Sequence, residues 1–235
     1  MAEQFSEKDI FIKNIISMLH AKKLQPGERL PTESELAAQY GISKTNVHLG
    51  IQKLERLGFV RVVPRHAIYI NPPEELSLEA IDALFQYLDH IPERPVIEAL
   101  LEMRRMMGVS MIHGLSNRPD PEKLERINVL LDQLSEAVNA GKAEAREKAL
   151  LELLSFLYRG AGNALFPLLL HSLHNSMTQA VHYISLYSDP QVMVSVYRQM
   201  KEHILEDDQE AAVQVWSDWN EKMTRLFLHR LYGDE

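Results

Sequence analysis

The polar side chains between Ser43 and His48 are the part of the sequence best suited to binding chemistry. Ser43 can cap a helix, and it is followed by four polar residues that stand apart from the apolar positions of the same segment: Lys44, Thr45, Asn46 and His48. A Lys side chain contacts phosphate or guanine, an Asn amide can pair with adenine through two hydrogen bonds, and free amides at a helix N-terminus favour phosphate. This pattern predicts a helix that contacts DNA, and a solvated polar face is the competing interpretation.

Three helices are predicted around this segment. Ser6 and the apolar repeat behind it predict a first helix. Thr32 and Glu35 form a capping box that begins a short second helix, and Gly41 suits the left-handed position after its end. The third helix begins at Ser43, so the turn between the second and third helices is short enough for a helix-turn-helix.

Two strands are predicted after the third helix, at residues 59–63 and 67–70, with a turn between them. Helix, helix, tight turn, helix and hairpin is the order of a winged helix-turn-helix. Arg65 and His66 at the hairpin tip are candidates for phosphate or minor-groove contacts.

The rest of the chain is predicted to be all-helical, which makes the protein mainly α. We place the winged helix-turn-helix at residues 1–71, a proline-stiffened linker at 72–76 and a helical-bundle domain at 77–235, large enough to enclose a ligand. Its predicted helices are 77–90, 93–114, 120–139, 142–160, 164–187, 190–206 and 208–231.

Charge is distributed unequally between the two parts. The formal net charge is −8. Residues 1–75 contain ten Lys and Arg against nine Asp and Glu, whereas residues 76–235 contain fifteen against twenty-four. An acidic surface repels phosphate, so DNA contact is expected from the first part alone. The absence of Cys, of a secretory signal and of a long apolar run predicts a cytoplasmic protein without a membrane partner.

Residues 28–63 resemble the DNA-binding domain of the GntR family of bacterial regulators, and the helical second half resembles its FadR-type subfamily. The resemblance rests on Leu30-Pro31, Glu33, Glu35-Leu36-Ala37, Gly41-Ile42-Ser43, Leu54-Glu55 and Gly58. It implies a homodimeric transcription regulator that binds double-stranded operator DNA and responds to a small-molecule effector. The family often has Arg at the positions of Ser34 and His48 and glycines in the wing, so the resemblance implies an altered operator or modest affinity.

Many FadR-type members bind a divalent metal through an Asp and three His. The corresponding places here hold Leu150 and Leu154, with Tyr197 near the third and Asp218 or Trp219 near the last. Leu side chains cannot bind a metal ion, so we expect neither a metal nor another cofactor. Tyr197, Trp219 and the two Leu residues could instead line an apolar pocket.

The resemblance to acyl-CoA-responsive members implies effector contacts at Arg104 and Tyr183. Arg carries a planar fork of donors that matches a carboxylate or phosphate, and Tyr provides an amphipathic wall. No acidic residue stands three or four positions from Arg104, so an ion pair on its own helix is not expected.

Three alternatives remain open at this stage. His171, His174 and His182 would share one face of a single predicted helix and could bind a metal in a carboxylate-sensing regulator, although surface His is the usual explanation. A protein-interaction module with degenerate DNA contacts is the second. A helical enzyme is the third alternative. We do not expect enzymatic activity, because the sequence contains no nucleophile elbow, phosphate loop or His-Glu-x-x-His motif.

Overall fold

The computed structural model describes residues 5–88, 92–117 and 120–233. The chain divides into two compact units, Met1–Pro92 and Glu93–Glu235. The first unit contains α1 (Glu7–His20), β1 (Arg29–Leu30), α2 (Glu33–Tyr40), α3 (Lys44–Arg56), β2 (Val60–Val63), β3 (Ala67–Ile70), a 3-10 turn (Pro73–Glu75) and α4 (Leu78–Tyr87). The second contains α5 (Arg94–Ser116), α6 (Pro121–Asn139), α7 (Ala143–Gly160), α8 (Phe166–Ser172), α9 (His174–Tyr187), α10 (Pro190–Leu205) and α11 (Gln209–Tyr232).

Local capping fixes the helix-turn-helix. The Thr32 hydroxyl accepts from the Glu35 amide while the Glu35 carboxylate accepts from the Thr32 amide, which completes the predicted capping box. Gly41 ends α2 in the left-handed conformation with φ 65°, and Ser43 caps α3 by accepting from the Asn46 amide at 3.1 Å. The predicted helices and the turn between them are confirmed.

A three-stranded antiparallel sheet forms the wing. Its order is β1-β3-β2, with Arg29 opposite Tyr69 and Val63 opposite Ala67. The β2–β3 hairpin turns at residues 64–66, where Arg65 adopts φ 63°. The mainly α fold with an N-terminal winged helix-turn-helix is therefore confirmed.

The first unit extends further along the chain than the sequence predicted. Ala80, Ala83, Tyr87 and Leu88 are buried in the same apolar core as α1 and α3. The sequence pattern places this helix in the domain at 77–235 and ends the N-terminal domain at residue 71, whereas the structure divides the chain after Pro92. Helical periodicity shows that a helix has an apolar face, but it does not show which core covers that face.

Tyr87 links α4 to the DNA-binding elements through a short polar network. Lys53 Nζ on α3 donates to the Tyr87 hydroxyl at 2.5 Å, and that hydroxyl donates to Asp9 Oδ1 on α1 at 3.0 Å. Burial raises the pKa of Asp9, but hydrogen bonds from Ser6 and Tyr87 outweigh it and leave this pKa below its usual range. A polar chain therefore fastens the end of α4 to both α1 and α3.

Replacing Tyr87 by Phe should destabilise the protein by about 1–3 kcal/mol, because Lys53 and Asp9 would lose their shared partner. Urea unfolding measures the loss. Tyr69→Phe is the matched control, since within the described residues the Tyr69 hydroxyl makes no hydrogen bond, and it should change stability little. Equal unfolding midpoints for Tyr87→Phe and the wild type would contradict the role of this network.

The second unit is helical, as predicted, with one error in the helix boundaries. The single helix predicted at 164–187 is two helices, because Leu173 leaves the helical conformation with φ −112° and ψ 32° and buries its side chain. His171 therefore lies on α8 and His174 and His182 on α9, and the prediction of one shared helix face is wrong. The apolar pattern continues through the break, which concealed it.

The described residues contain neither a grouped set of metal-binding side chains nor a helix suited to spanning a membrane. Within residues 5–88, 92–117 and 120–233, no three His, Asp or Glu side chains are grouped so that they could bind a metal. His182 instead pairs with Glu147 of α7 at 2.9 Å. In the same ranges, none of the helices combines the length and the apolarity that crossing a membrane requires.

Candidate functional site

The N-terminal turn of α3 presents the predicted DNA-binding side chains. Ser43, Lys44, Thr45 and His48 are exposed, as is Ser34 in the first turn of α2. The opposite face is buried, because Val47, Ile51 and Leu54 pack into the core with at most 1% of their surface exposed. Burial of one face thus leaves the other available to a groove of DNA.

Two carboxylates that the sequence analysis missed lie on this surface. The carboxylate of Glu7 on α1 accepts from the side-chain amide of Asn46 at 2.7 Å. The carboxylate of Glu33 on α2 lies 2.8 Å from Nδ1 of His48. The two partners are 39 positions apart in the first pair and 15 positions apart in the second, so no local sequence pattern could have predicted these contacts. Because Glu7 is exposed, its bond to Asn46 can exchange for a base at small cost.

The wing supplies the remaining predicted contacts. Arg65 and His66 are exposed at the hairpin tip. On the adjacent strand the Arg61 guanidinium lies 5.1 Å from the Tyr69 ring centre, which keeps this cation on the sheet surface. The tip can therefore contact phosphate while α3 occupies a groove.

In the second unit, Arg104 lies among residues of α11. Its Nη1 donates to Oδ1 of Asn220, and its guanidinium carbon lies 4.9 Å and 5.0 Å from the ring centres of Trp216 and Trp219. Among the described residues, no carboxylate lies within ion-pair distance of Arg104. The cation is therefore held by neutral groups, which leaves its charge available to an anion.

Two buried polar atoms in this region, Nη2 of Arg104 and the hydroxyl of Tyr197, make no hydrogen bond of regular length and angle in the described structure, although the two side chains lie close enough to interact with each other. Burial raises the pKa of Tyr197 far above its usual range, and Arg104 opposes this rise to a smaller extent, through its charge and through an irregular hydrogen bond to the Tyr197 hydroxyl. The Tyr197 hydroxyl is thus kept neutral and able to donate. Buried polar groups usually have a partner, so these two atoms are candidates for contact with an ordered water molecule or a ligand.

The structure brings only some of the predicted effector residues together. Tyr197 and Trp219 have ring centres 5.9 Å apart, and both belong to the Arg104 cluster. Tyr183 lies in a separate aromatic group, stacked on Tyr187 at 6.0 Å and edge-on to Phe227. The described contacts of Tyr183 thus do not include the cluster.

Leu150 and Leu154 are buried on α7. A small apolar pocket lies between α5, α6, α7 and α10 and includes Tyr197 in its wall. The other residues that line it are Leu115, Leu124, Ile127, Leu131, Leu153, Leu157, Met200, Lys201 and Ile204. Leu153 and Leu157, rather than the predicted Leu150 and Leu154, are the α7 residues that face this space.

The cluster also includes Trp216 and Asn220, which the sequence analysis missed. The two Trp residues and Asn220 stand at spacings of three and four on α11, so they share one face. That spacing was visible in the sequence, but only the α5–α11 packing shows that the face meets Arg104.

Gly108 allows the close approach of Trp216 to α5. A Cβ at this position would lie 2.1 Å from the indole ring, which is shorter than any allowed contact. Gly108→Ala should therefore destabilise the protein by about 1–3 kcal/mol, measured by urea unfolding. Gly160→Ala is the matched control, since its Cβ would make ordinary contacts with the side chains of Leu115 at 3.4 Å and Lys123 at 3.9 Å. Equal stability of the two variants would contradict the tight packing of Trp216.

Comparisons with known proteins agree with this architecture. Residues 12–70 match the model of bacterial regulatory proteins of the gntR family, and residues 99–220 match the FCD domain. The chain is 28% identical over 132 residues to an uncharacterized HTH-type transcriptional regulator of Mycobacterium tuberculosis, a match that covers 55% of this chain and 52% of that protein. It thus spans about half the length of the first relatives it matches.

A fatty acid metabolism regulator protein of Erwinia tasmaniensis is 26% identical over 190 residues, with 79% of this chain and 76% of that protein covered. A solved structure of Lar, which controls the expression of the Listeria monocytogenes agr system, matches with a TM-score of 0.59 and 18% identity, and covers 97% of this chain and 100% of that one. At this identity the structural match shows the fold alone.

The gntR match lies within the first unit of the fold and the FCD match lies within the second. The FCD match alone spans more than half of the chain. The chain therefore belongs to the GntR family of bacterial transcription regulators, FadR type.

Proposed function

We propose that the protein is a homodimeric one-component regulator that inserts α3 into the major groove of an operator half-site. The exposed N-terminal turn of α3 supports this, because it combines a Lys, a Thr and an Asn with a capped helix terminus. Two copies related by a two-fold axis would read two half-sites.

We propose further that the effector is an anionic, largely apolar molecule, such as a long-chain acyl-CoA, whose acidic group binds at Arg104. The observation that carries this proposal is the partly buried Arg104 cation, which bonds to the neutral Asn220 and makes no regular hydrogen bond through Nη2, beside the buried hydroxyl of Tyr197. An acidic group would supply an acceptor for Arg104, and the apolar pocket beside Tyr197, which is only water-sized in this structure, would have to open to receive the rest of the ligand. The resemblance to fatty acid metabolism regulators points to the same class of ligand.

Regulation requires the effector to bind two states of the protein with different affinity. A ligand that binds both states equally shifts nothing, however tightly it binds. We therefore propose that filling the Arg104 site changes the fraction of dimers competent to bind the operator.

A gel-shift titration tests both parts of this proposal. The full-length protein is titrated against the DNA upstream of its own gene, at 50 mM and 150 mM salt, with and without oleoyl-CoA. We expect a specific complex that weakens as salt rises, because phosphate contacts release counterions, and an affinity that oleoyl-CoA changes. Binding no stronger than to unrelated DNA at both salt concentrations would favour a protein-interaction module instead.

A further inference from the structure

Glu33 and His48 form a pair on the DNA-binding face. Glu33 Oε1 lies 2.8 Å from Nδ1 of His48, and the exposed fractions of the two side chains are 27% and 53%. One residue belongs to α2 and the other to α3, so the pair bridges the two helices of the helix-turn-helix. The His48 ring remains half exposed although one of its nitrogens is engaged.

The capping of α2 frees Glu33 for this contact. Thr32 and Glu35 satisfy each other at the helix start, so the Glu33 carboxylate is not needed as a cap. Glu33 is the first residue of α2, where the positive end of the helix dipole favours a negative charge. The position of Glu33 in the helix therefore suits a negative charge beside His48.

The bond to Glu33 determines which nitrogen of His48 faces outward as an acceptor. An ionised carboxylate can only accept, so Nδ1 of His48 must carry the proton it donates. In the neutral imidazole the other nitrogen, Nε2, then has a free lone pair. In the major groove, the groups that donate to such an acceptor are the exocyclic amines of adenine N6 and cytosine N4.

We propose that His48 reads an amino-bearing base, adenine or cytosine, through Nε2, and that Glu33 is the positioning residue that fixes its ring and tautomer. The inference rests on the proposed operator binding and adds the chemistry of one operator position. An Arg in place of His48 would only donate and would select guanine. The Glu33–His48 pair thus reverses the hydrogen-bond preference at this position of the helix.

The test is a selection of operator sequences from a random DNA pool by the full-length protein, at pH 8.5 to favour the neutral imidazole. Binding constants are then measured for all four base pairs at each position. For the wild type we expect one position at which adenine or cytosine is preferred by roughly 5- to 100-fold, the discrimination typical of a good base contact. His48→Ala should reduce that preference to about 2-fold or less and leave other positions unchanged.

Glu33 is tested by variants that separate hydrogen bonding from charge. Glu33→Ala should remove the same preference, and adding it to His48→Ala should change nothing further, since coupled residues are not additive. Glu33→Gln should retain the preference, because its amide oxygen still accepts from Nδ1. Glu79→Ala, on α4, removes an equal charge from the same unit and should leave every base preference intact. Circular dichroism confirms that each variant is folded.

Four outcomes would overturn the inference. The first is a His48-dependent position that prefers guanine or thymine, and the second is an unchanged preference in Glu33→Ala. The third is a wild type that selects no sequence, which would also remove the proposed operator binding. A wild type that selects an operator with no His48-dependent position overturns this inference alone.

Discussion

Replacing Lys44 and Asn46 together by Ala should reduce operator affinity by about 100-fold or more, to the level of nonspecific binding. A direct base contact contributes roughly 1–3 kcal/mol, and loss of the Lys removes a phosphate or guanine contact as well. Both side chains project from the first turn of α3, where the buried face of the helix fixes their position. Fluorescence anisotropy with the selected operator measures the change.

The fold should survive this double substitution. Lys44 is exposed, and within the described residues the side chain of Asn46 bonds only to the exposed Glu7. Ser43 would continue to cap the helix, because it accepts from the backbone amide of residue 46. Lys142→Ala removes the same charge from an exposed position in the second unit and is the control for a general electrostatic effect. Unchanged operator affinity in the double variant would disprove the assignment of α3 as the reading helix.

The helix-turn-helix could be predicted from sequence because its signals are local. Thr32 and Glu35 are three residues apart, and Gly41 and Ser43 mark the end of one helix and the start of the next. Caps and turns depend on side chains that bond to their own backbone, so short windows of sequence contain the whole interaction.

The limits of prediction appear where one segment depends on another. The burial of Tyr87 in the first unit depends on Lys53 and Asp9, which are far from it in sequence. The end of α8 at Leu173 has no Gly or Pro to mark it. Periodicity therefore predicted the helices but neither the core that buries α4 nor this break.

The candidate sites show the same division. Arg104 was predicted as an effector contact from the resemblance of this chain to FadR-type regulators. The structure adds the partners that explain its position, Trp216 and Asn220. Glu33 was part of the sequence motif, yet its contact with His48 emerges only when α2 packs on α3. Residue types suggest what chemistry is available, and tertiary packing decides which groups remain unsatisfied.

Arg104→Met should weaken the binding of an anionic effector by about 10-fold or more without weakening operator binding in its absence. A hydrogen bond to a charged group contributes roughly 1.5–3 kcal/mol, and Met removes both the charge and every donor. Its flexible apolar chain preserves much of the packing against Trp216 and Trp219, so the loss reports on the anion rather than on a cavity. Calorimetric titration with oleoyl-CoA measures the affinity.

Arg105→Ala is the matched control for this experiment, since Arg105 is the next residue on α5, carries the same charge and is exposed. Arg104→Lys retains the charge but lacks the planar fork, and we expect its affinity to lie between those of the wild type and Arg104→Met. If all three variants bind oleoyl-CoA as tightly as the wild type, the anion is not held at Arg104. The two buried groups at Arg104 and Tyr197 would then be satisfied by each other and by ordered water, or by a different ligand, because leaving them without partners costs free energy in either state of the regulator.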